Sequence, residues 1–258
     1  MKRKKKVFII IGLLLVICVY FGYKGFNLFY YNINNLTTEN YDSIVNNLTI
    51  KDTITINTKK LESDDYLTFR NIKVKNEFSN FKLLENQVSD NNIKYALYDE
   101  NNNLKASFWM GITDSYVNLF KTDATLFGTE DKRINNTNLT NFLDKNNIKN
   151  DIDLFKYLEK NKNVKNNIFT SVKEMKENYL LQFMVSVAIP QIENITLIDG
   201  DYQGYIFNMK SENDNVSSIR EARILFNDKV YTFLFLNKNN EYFNNDYIQN
   251  ILNTIVID

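Results

Sequence analysis

IREARILFNDKVYTFLFL, residues 219–236, decides the fold: two strand-forming runs flank the turn residues Asn227-Asp228. Asparagine and aspartate tolerate tight-turn backbone, so Ile219 to Phe226 and Lys229 to Leu236 are predicted to pair as an antiparallel hairpin. The second strand is apolar on both faces and needs cover. Downstream, Asp246 to Ile255 offers it, placing Tyr247, Ile248, Ile251, Leu252 and Ile255 at helical spacing.

Working upstream, Ile195 to Ile198 and Tyr202 to Met209 read as strands. Before them, Ser171-Val172-Lys173-Glu174 has the form of a capping box. Val172, Met175, Tyr179, Leu180, Phe183, Met184 and Val187 follow at helical spacing, and Pro190 ends the helix. Shorter helices are expected over 115–127, with Tyr116, Leu119 and Phe120 inward, over 138–146, and over 151–161 from an Asp151 cap.

In the first half, Ile93 to Tyr98 and Leu104 to Ile112 form a hairpin across Asp99-Glu100-Asn101-Asn102-Asn103. Thr53-Ile54-Thr55-Ile56 and the run Leu67 to Val74 alternate nearly every second residue and read as further strands. The expected class is therefore α+β, an antiparallel sheet domain with packed amphipathic helices over residues 49–258. No Pro/Gly linker divides it.

The closing run YTFLFL...YIQNILNTIVI, between 231 and 257, resembles the Mog1/PsbP type of small α/β sandwich found in some bacterial envelope lipoproteins. The likeness covers about a fifth of the chain and rests on pattern. It implies a non-enzymatic envelope domain and assigns no functional residue.

Composition narrows the chemistry. With 258 residues, 44% of them apolar, the chain can bury a sizeable core. Histidine is absent and the single cysteine, Cys18, lies in the first apolar run. This excludes Ser-His-Asp and Cys-His nucleophile systems and His-ligated zinc. Residues 27–258 hold 25 basic against 31 acidic side chains, a net of −6, so nucleic acid is not an expected ligand. Abundant Asn and Lys beside 7 Gly and 1 Pro suit an AT-rich genome.

At the N-terminal end, VFIIIGLLLVICVYFGY, residues 7–23, is uncharged and spans about 26 Å as a helix. With lysines snorkelling at its ends, that length crosses a bilayer. Lys2, Arg3, Lys4, Lys5 and Lys6 precede it, which places residues 1–6 in the cytoplasm and the domain outside. Phe26, Phe29, Tyr30 and Tyr31 read as an interfacial aromatic belt, and 24–48 as a juxtamembrane stalk with a short helix near Tyr41 to Leu48. A cleaved signal would end in small residues, whereas this run ends in Tyr20, Phe21 and Tyr23. A lipoprotein signal puts a small residue before its cysteine, and here Ile17 precedes Cys18. The lack of cysteine beyond position 18 favours a bacterial envelope. Together these features resemble a single-pass, membrane-anchored protein of a low-GC Gram-positive bacterium.

Four constellations bear on activity. Ser79-Asn80-Phe81-Lys82 and Ser89-Asp90-Asn91 have the forms used by penicillin-recognising serine enzymes, but they sit ten residues apart without a Lys-Thr-Gly partner. Asp64, Asp65, Asp99, Glu100, Asp199 and Asp201 are candidates for a two-carboxylate hydrolase site, although each falls in a turn. Asp199-Gly200-Asp201 offers oxygens to calcium without the remaining ligands of an EF-hand loop. Phe108-Trp109-Met110 and Tyr231 to Phe235 are the places where an exposed aromatic groove would form, unless helices cover the sheet on both faces.

Sequence therefore assigns no catalytic residue, cofactor or metal. The expectation is a non-catalytic domain outside the cell membrane, held in the lipid bilayer by residues 7–23 and binding an envelope protein or wall polymer. An envelope hydrolase using carboxylates or Ser/Lys is the alternative.

Overall fold

The computed structural model describes residues 2–33, 45, 48–58, 65–123, 131–188, 192–209, 216–238 and 242–258, with side chains from Leu13 onward. It is an α+β protein in which a long apolar helix precedes a large, mainly antiparallel sheet with helices packed on it.

Helix α1 (Lys2–Tyr30) runs 29 residues, about 43 Å at the usual helical rise. Leu13–Tyr30 is long and apolar enough to cross a membrane. The helix continues beyond Lys24, so it enters the domain instead of stopping at the end of the apolar run.

Eleven described strands follow: β1 (Ile50–Ile56), β2 (Tyr66–Phe69), β3 (Ile72–Lys75), β4 (Lys82–Ser89), β5 (Asn92–Tyr98), β6 (Leu104–Thr113), β7 (Ile192–Gly200), β8 (Gln203–Met209), β9 (Ser218–Phe226), β10 (Lys229–Asn237) and β11 (Val256–Ile257). Eight form one sheet in the order β1-β7-β8-β9-β10-β6-β5-β4. Only β1 and β7 pair in parallel there. The predicted 219–236 hairpin is the pair β9–β10, and its Asn227 and Asp228 both take positive φ, 49° and 61°. The 93–112 hairpin is β5–β6.

Two strand readings change. The run Leu67 to Val74 is not one strand but the tight hairpin β2–β3, turning at Arg70, whose φ is 54°. Residues 82–89, where the sequence predicts no strand, form the edge strand β4. Strand β4 is solvated on nearly its whole length, so no alternation marks it.

The described helices of the domain are α2 (Tyr116–Thr122), α3 (Asn136–Lys145), α4 (Asp151–Asn161), α5 (Val172–Ala188) and α6 (Asn245–Leu252). Asparagine caps three of them: Asn135, Asn150 and Asn244 each accept an N–H from the first turn. The asparagine bias thus serves helix starts and left-handed turns. The capping box forms as expected, with Ser171 N–H donating to Glu174 at 2.9 Å and Glu174 N–H to Ser171 at 3.2 Å. Pro190 lies outside the described residues.

Two cores lie on opposite faces of the large sheet. Helices α2 to α5 bury Tyr205, Phe207, Ile195 and Leu197 on the first face. On the second, α6 and a small sheet of order β11-β3-β2 bury Phe108, Met110, Phe233 and Phe235. Helix α6 ends at Leu252, so Ile255 joins this core from the turn before β11 and not from the helix.

The segment 24–48, read as a stalk, carries core residues at its described positions. Ile33, Val45 and Leu48 are all buried in the first core. Most of the short helix expected near Tyr41 to Leu48 lies outside the described residues.

Candidate functional site

The candidates nominated by sequence do not converge. Ser79 stands exposed in a turn, while Lys82 opens β4 and donates to Asn102 at 3.2 Å. Ser89 ends the same strand and accepts the N–H of Asn91 at 3.1 Å. An extended strand separates Lys82 and Ser89 by roughly 23 Å, so no shared serine-enzyme site forms.

The carboxylates are held locally. Asp99 accepts the N–H groups of Asn101 and Asn103, and the Asn103 bond holds its carboxyl below the ordinary value. Asp201 accepts both the hydroxyl and the N–H of Thr58 at 2.7 Å, which lowers it likewise. Asp65 accepts from Asn76, Glu100 and Asp199 are exposed, and Asp64 lies outside the described residues. Gly200 has a backbone reason to be there: its φ is 109°, and a Cβ would sit 2.3 Å from the Ile56 carbonyl oxygen. Among the described residues no group of acidic or thiol side chains is placed to hold a metal ion.

A buried polar cluster that sequence reasoning missed lies between the helices and β8–β9. Asp151 does not cap its own helix, which Asn150 does. Fully buried, it caps a neighbour instead, accepting the Tyr116 N–H at 3.1 Å and the Val117 N–H at 3.0 Å at the start of α2. The Tyr205 hydroxyl donates to it at 2.7 Å. Burial raises its carboxyl despite these donors. Arg223, the strand partner of Tyr205, donates to Glu221 at 2.7 Å and stacks over Tyr116 at 5.0 Å and Phe207 at 5.4 Å. Burial alone would lower the guanidinium; the phenols and Glu221 around it raise it instead. Every one of these groups is engaged, which makes the cluster a joint between α2, α4 and the sheet.

Arg223 and Glu221 also mark a boundary. The helical layer covers β1, β7 and β8, and of β9 it reaches Leu225. Beyond that line the first face carries Ile219, Leu234, Leu236, Trp109 and Leu84, aligned by register across β9, β10, β6, β5 and β4. All five are half-buried or exposed, Leu84 at 58%, and none enters either core. Among the described residues the sheet is therefore covered on the second face, by α6 and the small sheet together and not by helices alone, and on only part of the first. The alternative, an exposed aromatic groove, does not form from Phe108, Tyr231, Phe233 and Phe235, which all point into the second core. Only Trp109 faces out, with the Lys94 ammonium 5.2 Å from its ring centre.

The third arrangement fixes α1 to the domain. Lys24 donates to the Thr170 carbonyl and is buried, as is Asn27 one turn on. Tyr31 meets the Tyr179 ring edge-on at 5.9 Å. The Arg133 guanidinium lies between the rings of Tyr30 and Tyr179, 4.5 and 4.4 Å from their centres. Asp131 holds that guanidinium, accepting Arg133 Nε at 2.7 Å and the Tyr179 hydroxyl at 2.8 Å.

Burial pushes the Asp131 carboxyl up, but the Arg133 and Tyr179 bonds outweigh it and hold the group below its ordinary value. A lowered carboxyl stabilises the fold above its unfolded pKa, about 4, and loses that contribution as the pH falls through the folded value. Acid is therefore expected to loosen α1 from α5 before the domain unfolds. A spin-label pair bridging α1 and α5 reports this as widening below pH about 4. Asp131→Asn should already be loosened at neutral pH, and an Asp131→Asn pair as tight as the wild type would refute the account.

No family model, curated protein or solved structure matches the chain.

Proposed function

We propose that this chain is a single-pass, membrane-tethered, extracytoplasmic protein without catalytic function, whose domain binds a protein of the cell envelope. The open apolar stretch of the large sheet carries this reading. Ile219, Leu234, Leu236 and Leu84 are aliphatic, which suits a protein surface better than a sugar polymer. Edge strand β4 borders the patch and leaves backbone groups open to a partner strand. The likeness of the closing strand and helix to the Mog1/PsbP sandwich points to the same class.

The length of α1 and the basic residues at its start support this topology. Protease added to intact cells is expected to digest the domain and leave the segment before α1's apolar run protected. Protection of the whole chain would remove this orientation. For the surface, a photo-crosslinking residue at Leu84 or Leu236 should give a discrete protein adduct in living cells, and one at Asn102 in the β5–β6 turn should not. Equal patterns at all three positions would refute the assigned face.

A further inference from the structure

Among the described residues outside α1, the most exposed large apolar side chain is Phe169, at 86%. It lies between α4 and α5, in a loop that runs beside residues 24–31. Lys24 donates to the carbonyl of Thr170, the next residue, and Asn166 donates to the Tyr31 carbonyl at 3.5 Å. Asn167 shapes the turn: its side-chain oxygen accepts the N–H groups of Phe169 at 2.8 Å and Thr170 at 3.2 Å. Phe169 is thus held on a pinned backbone at the level of Lys24, where the apolar run of α1 ends. Residues 162–174 contain Lys162, Lys165 and Lys173 and one acid, Glu174, whose carboxylate accepts the Ser171 N–H at 2.9 Å. Lys165 and Lys173 are exposed, while Lys162 donates to the Leu48 carbonyl.

We infer that this loop is a second membrane contact, in which Phe169 enters the outer headgroup layer and Lys165 and Lys173 face anionic lipid headgroups. The inference rests on α1 being a membrane anchor. If it is, the Lys24 bond places the Phe169 loop at the bilayer surface, where an aromatic ring gains by leaving water and lysines gain by meeting anionic lipid.

The test uses the full chain with Cys18→Ser, reconstituted in vesicles of phosphatidylcholine and phosphatidylglycerol. A polarity-sensitive fluorophore is placed on Phe169→Cys and, in a second protein, on Asn102→Cys. Spin-labelled lipid is expected to quench the probe at 169 and iodide to spare it, with the reverse at 102. Iodide quenching without lipid quenching at 169 overturns the inference, and so does shielding from both, which would mean that protein covers the site. Adding Lys165→Glu and Lys173→Glu should reduce the lipid quenching, and an unchanged signal overturns the role given to the lysines. An alkaline carbonate wash separates the two readings. A chain that washes off the vesicles defeats the anchor itself, whereas a retained chain with an iodide-accessible probe defeats only the second contact.

Discussion

Ile251→Asp is expected to unfold much of the domain, while Asn250→Asp, one residue away, leaves the thermal midpoint almost unchanged. Ile251 is fully buried beside Ile248, Leu252, Ile255 and Phe243, in the core that α6 closes against the second face of the large sheet. Asn250 is exposed on the other side of the same helix. Losing the burial of one isoleucine costs about 1.5–3 kcal/mol. An unpaired carboxylate at the same place adds several more, unless it takes up a proton. Domains of this size are stable by about 5–15 kcal/mol, so the first substitution removes a large share and the second almost none. Equal, small shifts at both positions would show α6 to be peripheral.

The second large effect is expected at Asp151. Asp151→Ala removes one acceptor and strands three donors: the N–H groups of Tyr116 and Val117 and the hydroxyl of Tyr205. Each buried donor left without a partner costs about 1–3 kcal/mol, so a loss of several kcal/mol is expected. Asp153→Ala, in the same first turn of α4, is the comparison. It removes only the bond from the Lys149 N–H, at a half-buried site, and its effect should be far smaller. Tyr205→Phe added to Asp151→Ala removes one stranded donor, so the double variant should be more stable than the two single losses sum to. Additive losses would mean that Asp151 acts through bulk and not through these bonds.

These two residues show what a single sequence displays and what it hides. Ile251 was legible because it shares a helical period with Ile248 and Leu252. The β5–β6 and β9–β10 hairpins were legible because alternating strands flank asparagine and aspartate. The β2–β3 turn escaped because Arg70 stands where asparagine or glycine would have announced the left-handed backbone. Strand β4 escaped because only Leu83 of its eight residues packs against a core, and one inward residue makes no period. Asp151 was visible only as a plausible cap of its own helix, since nothing in the chain marks which distant N–H groups a carboxylate will reach. The docking of residues 24–31 was hidden for the same reason. Its polar pairings join Lys24 to Thr170 and Tyr31 to Asn166, far apart in sequence.

The parallel pairing of β1 with β7 sets a timetable for synthesis. Ile50 pairs with Ile195, so 144 residues intervene. Strand β1 is made early and then waits, with its ladder groups open, until β7 emerges. The small sheet repeats this on a longer span, because Ile72 of β3 pairs with Ile257 of β11. Both sheets are therefore completed by late arrivals, and long loops must close before their contacts repay the entropy. Until residue 192 has been made, β1 has no partner for its ladder, and that interval, more than the finished fold, is when its backbone groups are open to other chains.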